Sequence, residues 1–197
     1  MIQKTKFEKN AFRIAAVIAS AFERAKQTYP PESRDFERVS SFYADEKLNL
    51  NVNWFNFSQL QKLNAILVNT DEVNLSDITT VEQEARTQYK IFICAQKDDD
   101  THEAAQTVTT AARIMREKLT AAPLSFFDCV NKKVSQIIFD PAKMPQGLEN
   151  FFSAVMLFTA ATREPLTDID GNPDAAKINE TTISADGGIY KMFLEWE

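Results

Sequence analysis

Glycine is scarce in this chain of 197 residues. There are four, which leaves hardly any room for the glycine-rich loop that cradles a phosphate. Histidine occurs once, as His102, so a Ser-His-Asp or Cys-His arrangement would have to be built on it. One histidine and two cysteines also fall short of a zinc ligand set. The cysteines, Cys94 and Cys129, do not make a disulfide framework in a chain this long, and a reducing compartment is expected. Long apolar runs are missing. Uninterrupted runs such as Ala15–Ala19, extended by Ile14, and Ala154–Phe158 are well short of the roughly 18–20 residues that span a bilayer. No Gly-x-Ser-x-Gly motif, internal repeat or low-complexity segment occurs. The N-terminus lacks the basic, apolar, small-residue order of a signal peptide, so the protein is expected to be cytoplasmic where it is made.

What is present is ordinary for a soluble globular domain: 44% hydrophobic and 25% charged residues, in a length that supports a sizeable core. The net charge of −6 argues against a nucleic-acid-binding face. Phenylalanine is abundant, with fifteen copies. Most are expected in the core, with some left for a subunit interface.

The stretch from Gln88 to Leu119 organises the rest. Gln88 to Gln96 is short, β-branched and aromatic, as a buried strand should be. Lys97-Asp-Asp-Asp100 is a turn. From Thr101 to Leu119, Ala104, Ala105, Val108, Ala111, Ala112, Met115 and Leu119 recur at helical spacing on one face. Asp100 suits the N-cap and Glu103 the capping-box position, while Arg116 and Lys118 suit the negative end of the helix.

Before this unit, residues 7–27 read as a helix. Ala11, Ile14, Ala15, Ile18, Phe22 and Ala25 make its stripe, widened by Phe12, Ala16, Val17 and Ala19. The apolar girth predicts a helix sandwiched between a sheet and a second surface, either deep core or a subunit interface. Tyr29-Pro30-Pro31 ends it. Phe36, Val39, Phe42 and Tyr43 have helix-like spacing. Leu48 to Trp54 alternates with period two, which predicts a strand with Asn49, Asn51 and Asn53 on its solvated side. Trp54, Phe55 and Phe57 cluster at its end. Leu63–Val68 reads as a strand and Asp71–Thr87 as a polar, acidic loop. After the organising unit, Val134–Phe139 reads as a strand. Phe151–Ala161 fits a helix or a strand buried on both faces, and its short connection from Phe139 favours the strand. The tail from Leu166 onward is turn-rich. It is predicted to end in a hairpin, Thr181–Ser184 with Ile189–Trp196, whose Tyr190, Met192, Leu194 and Trp196 share one face.

Weighed against bland readings, the chemical candidates recede. His102, beside three aspartates in a first helical turn, reads as a solvated surface histidine. Asp98, Asp99, Asp100 and Glu103 are explained as turn and cap. Asp168-x-Asp170-x-Asn172 starts like a calcium loop, but Pro173 and Asn179 stand where glycine and glutamate belong. No catalytic residue, cofactor or metal is assigned. The interface candidates are Phe12, Ile18, Phe22, Trp54, Phe55, Phe57, Tyr190, Met192, Leu194 and Trp196.

The predicted fold is α+β: a largely antiparallel sheet covered on one face by two long helices. Residues 1–165 form the body and 166–197 a C-terminal hairpin arm. Its parts are the helix ending at Gln27, the pair Ile91–Gln96 with Thr101–Leu119, and the closing pair Ser135–Phe139 with Phe151–Thr162, which runs into Thr159-Ala-Ala-Thr-Arg163. Over roughly residues 7–163 this order resembles the tail-terminator and tail-completion proteins of tailed bacteriophages; the tail from Leu166 departs from their pattern. The resemblance implies a non-enzymatic virion protein. It would close into a homo-oligomeric ring, often a hexamer, on the last ring of the tail tube and present a surface to neck and head proteins. It implies assembly in the host cytoplasm, a final place in the virion and no membrane, with DNA passing through an acidic channel without specific binding. Two other classes remain open. One is an intracellular adaptor that binds through Trp54–Phe57; the other is an enzyme with a carboxylate site. Deleting residues 166–197 is expected to leave a folded body with weakened oligomerisation. Circular dichroism and native mass check this, and an unfolded truncation would make the tail part of the core.

Overall fold

A computed structural model of the chain describes residues 5–53, 64–79, 82–97, 101–140 and 150–165. The elements run α1 (Lys6–Thr28), α2 (Arg34–Ser40), β1 (Tyr43–Ala44), β2 (Lys47–Leu48), β3 (Leu50–Val52), β4 (Ala65–Asp77), β5 (Glu82–Gln96), α3 (Thr101–Ala121), α4 (Leu124–Phe127), β6 (Asn131–Phe139) and β7 (Phe151–Pro165). Five strands form one sheet in the order β3-β4-β5-β7-β6. All its pairs are antiparallel except β3 with β4. The class is α+β, as the order of elements in the sequence predicts.

The period of two along β5 sorts its side chains. Ala85, Thr87, Tyr89, Ile91, Ile93 and Ala95 are buried, and the apolar ones from Tyr89 onward join one core cluster. Ile66 and Val68 of β4 and Ala154, Met156, Phe158 and Ala160 of β7 lie in the same cluster. Onto it α1 brings Ala11, Ile14, Ala15, Ile18, Ala21 and Phe22, and α3 brings Ala104, Val108, Ala111, Ala112, Met115 and Leu119. The predicted stripe of α3 is therefore the buried one, apart from Ala105, which is half-buried. Its many alanines let the helix approach the sheet closely.

The opposite face has its own small cluster, Ala65, Leu67, Cys94 and Phe151, with Phe92 packed on it. Strands buried on both faces lose their alternation. That accounts for the unbroken apolar look of Ala65–Val68 and of Ala154–Phe158. The strand reading of Phe151–Ala161 holds: β7 runs from Phe151 through Pro165, paired with β5 along its length and with β6 from Ala154 to Ala161.

Helix ends are closed by identifiable groups. Thr5 and Glu8 form a capping box at the start of α1. At the end of α3, Lys132 Nζ donates to the Leu119 and Thr120 carbonyl oxygens at 2.7 and 2.8 Å, satisfying last-turn acceptors. Arg38 ties α2 to α3 through a fork onto Glu103, with Nε–Oε1 at 2.9 Å and Nη2–Oε2 at 3.2 Å.

Three expectations need correction. Residues 71–87, read as a weakly structured loop, supply the outer half of a long hairpin: β4 continues to Asp77 and β5 begins at Glu82. The β5 half pairs with β7 as well as β4, so the ladder orders a segment too polar to show a hydrophobic run. The single strand predicted over Leu48–Trp54 is split into β2 and β3, and Asn53 sits at φ 54°, in the left-handed region that asparagine tolerates. Its asparagines are not an idle solvated row. Asn49 Nδ2 donates to the Asn64 carbonyl at 3.1 Å, and Asn53 Oδ1 accepts from the Thr70 N–H at 3.0 Å. Finally, α1 is buried along one stripe only: Phe12 and Ala16, expected to widen the covered face, are exposed. The turn Asp98–Asp100, with its proposed N-cap, and the C-terminal hairpin lie outside the described residues.

Met115 is fully buried at the centre of the α3 stripe. Met115→Asp places an unpaired charge there and is expected to abolish the cooperative urea transition. Met115→Ala is expected to lower stability by about 2–5 kcal/mol. Native-like midpoints for both variants would place the stripe elsewhere.

Candidate interaction surfaces

The interface candidates separate by burial. Ile18 and Phe22 are corrected to core: both are fully buried within the chain, and Phe22 packs edge-on against Phe42 at 5.4 Å between ring centroids. Phe12 is 50% exposed on the outer side of the same helix. Trp54, Phe55, Phe57, Tyr190, Met192, Leu194 and Trp196 lie outside the described residues.

The chemically versatile side chains do not converge. Cys94 is buried in the sheet, and burial pushes its thiol up to about 12, so it stays protonated and unreactive. Cys129 is half-buried, and its thiol is also raised, chiefly by desolvation. His102 is exposed, its ring Nε2 2.6 Å from Gln106 Nε2. Among the described residues, no group of three or more His, Cys, Asp or Glu side chains is placed to hold a metal ion.

The most concentrated buried polar group sits where α1 begins. The Glu164 carboxylate, on β7 and 3% exposed, accepts the Lys6 N–H at 3.0 Å and the Phe7 N–H at 3.1 Å. It also accepts the Thr162 hydroxyl at 2.7 Å. Two orphan donors of the helix are thereby satisfied, and a negative charge faces its positive end. The Tyr89 hydroxyl donates to the Phe7 carbonyl at 2.7 Å from the neighbouring strand. Burial raises the Tyr89 phenol, opposed in part by the Thr87 hydroxyl and reinforced by Glu164. Asn10 Nδ2 and Thr87 Oγ1 lie beside that phenol, yet neither has a hydrogen bond of good geometry. Bonded to the first two N–H groups of α1 from strand β7, Glu164 is a clamp that fixes α1 on the sheet.

The surface features are the sheet edges. Beyond the short β3, the outer side of β4 from Glu72 to Asp77 has no described strand beside it, and the outer side of β6 has none either. Both edges expose large apolar side chains: Leu75 is 42% exposed, Ile138 37% and Phe139 45%. Ile78 at the hairpin tip and Val130 just before β6 add to them. The charges differ in sign. Residues 72–77 hold Glu72 and Asp77 with no base, and 131–139 hold Lys132 and Lys133 with no acid. Sequence reading missed these residues because Val73 and Leu75 alternate within a polar stretch, and because nothing in the β6 sequence marks an edge.

No protein-family model matches the chain, and no curated protein matches it.

Glu164→Ala leaves two helix N–H groups and a buried hydroxyl without their acceptor. The expected loss is about 1–3 kcal/mol of unfolding free energy, read from urea denaturation. Glu164→Gln, which keeps an acceptor, should lose less. An unchanged midpoint for the alanine variant would show that the clamp contributes nothing.

Proposed function

We propose that this chain is a non-enzymatic virion assembly protein that closes into a homo-oligomeric ring on the end of a bacteriophage tail tube. It stops tube growth there and presents a surface to neck and head proteins. The observation that carries the reading is the sheet with two unlike edges that no described strand flanks, helices on one face and exposed apolar side chains at both borders. A subunit of this kind suits a head-to-tail interface, which closes into a ring when its rotation allows. The described elements from α1 to β7 follow the helix, strands, helix, strands order on which the likeness to the tail-terminator family rests, and that order supports the reading. Residues 166–197 are proposed as an added arm on the 1–165 body. The net charge of −6 suits a ring whose channel DNA crosses without sticking.

Light scattering over a concentration series, with negative-stain images of the same sample, tests the reading. Rings are expected, formed by the protein alone or on addition of tube protein, at multiples of the 22.3 kDa chain mass. A monomer that ignores tube protein would overturn it and transfer the case to an adaptor.

A further inference from the structure

The geometry points to a specific interface: the outer edge of β6 in one copy pairs, antiparallel, with the edge Glu72–Asp77 of β4, which no described strand flanks, in the next copy. The inference rests on the ring assembly proposed above and names the surfaces that build it.

Strand direction comes first. β4 is antiparallel to β5, β5 to β7 and β7 to β6, so β4 and β6 run in opposite directions within one copy. In a ring, all copies point the same way along the axis. Neighbouring β6 and β4 edges then meet antiparallel, with the helix faces of both sheets on the same side.

Stagger comes second. The β6 edge lies level with Ala154–Ala161 of β7. The free β4 edge lies level, through β5, with Thr159–Glu164. Their centres are offset by about four residues, roughly 13 Å along the strands. One β4 and the next are separated by four strand spacings, about 19 Å. Aligning the edges therefore tilts the strands by about 35°, the lower end of the range in which closed barrels lie. The hand also fits. β5 and β6 are parallel and joined through α3, a connection that is right-handed by rule. With the helices outside the ring, the stagger then leans the strands to the right, as right-twisted strands require.

Side-chain matching comes third. An offset of four residues is even, so each side chain keeps its face. Val134 then opposes Leu75 and Ile137 opposes Val73 on the helix side, while Gln136 opposes Asn74 on the other. Lys132, whose ammonium also caps the end of α3, opposes Asp77. The same register sets Ile138 against Glu72, the one mismatch; the other pairs are like with like or cation with anion, and cross-strand pairs of these kinds stabilise a ladder. A β4 edge against another β4 edge would instead set Glu72 opposite Asp77, like charge against like. The charge pattern thus selects a second copy in head-to-tail order.

The test is a cysteine pair. Residues directly opposite on antiparallel strands have Cα atoms about 4.5–5.5 Å apart, within disulfide range. Gln136 and Asn74 are both exposed. In the full-length chain carrying Cys129→Ser, the double variant Asn74→Cys with Gln136→Cys is expected to form a ladder of covalent multimers on mild oxidation. Neither single variant should cross-link. A second variant, Leu75→Lys, changes an exposed position and should leave the circular dichroism spectrum unchanged while reducing the native mass to that of one chain. Three outcomes overturn the inference. Rings that neither cross-link nor respond to Leu75→Lys would leave ring assembly standing and place its interface elsewhere. Cross-linking by either single variant would show like edges paired. A chain that stays monomeric with and without tube protein, and oligomerises only when residues 166–197 are removed, would show an edge filled by its own tail; with that result ring assembly fails as well.

Discussion

Strand β5 is hydrogen-bonded on both flanks along almost its whole length, to β4 on one side and β7 on the other. The rest of the structure is arranged by that constraint. A strand paired on both sides must satisfy its side chains above and below. Its alternating residues therefore recruit α1 and α3 to one face and the Ala65, Leu67, Cys94 and Phe151 cluster to the other. The ladder also continues past the reach of the helices. There it holds the charged segment Asp71–Asp77 extended, although none of its side chains is buried. The position of α1 follows from the neighbouring strand, because Glu164 of β7 receives its first N–H groups.

Such a sheet leaves two borders. Edge strands are hazards, and this chain blunts both with charges and with bulges, at Thr70/Glu72 in β4 and at Val134/Gln136 in β6. The blunting is incomplete, since Leu75, Ile138 and Phe139 remain exposed beside it. Opposite charge on the two borders favours the meeting of one edge with the other. A surface of this design suits a protein that must assemble in one order and stop, which is the role proposed for it.

The long helices and the buried strands were legible because packing imposes a period on them. The α3 stripe from Ala104 to Leu119 and the run Phe151–Ala161 could each be read locally. The outer hairpin was not legible, because its order comes from pairing with a remote strand and leaves no hydrophobic signature. Ile18 and Phe22 show the converse limit. An apolar helix side chain looks the same whether it faces its own sheet or a partner, and only the presence of Phe42 and the sheet beneath decides. Glu164 was equally hidden: a lone acid near the end of an apolar strand becomes a helix clamp only when residue 6 arrives beside it.

What the sequence determined by itself was the class of the molecule and its local elements. Scarce glycine, histidine and cysteine excluded familiar site chemistries, and periodicity set α1, α3 and the buried strands, because both depend on residues close in the chain. The tertiary structure alone decided the strand order, the unlike charges of the two borders and the burial of Glu164. These depend on pairs such as Glu164 with Lys6, 158 residues apart, whose meeting no local pattern encodes.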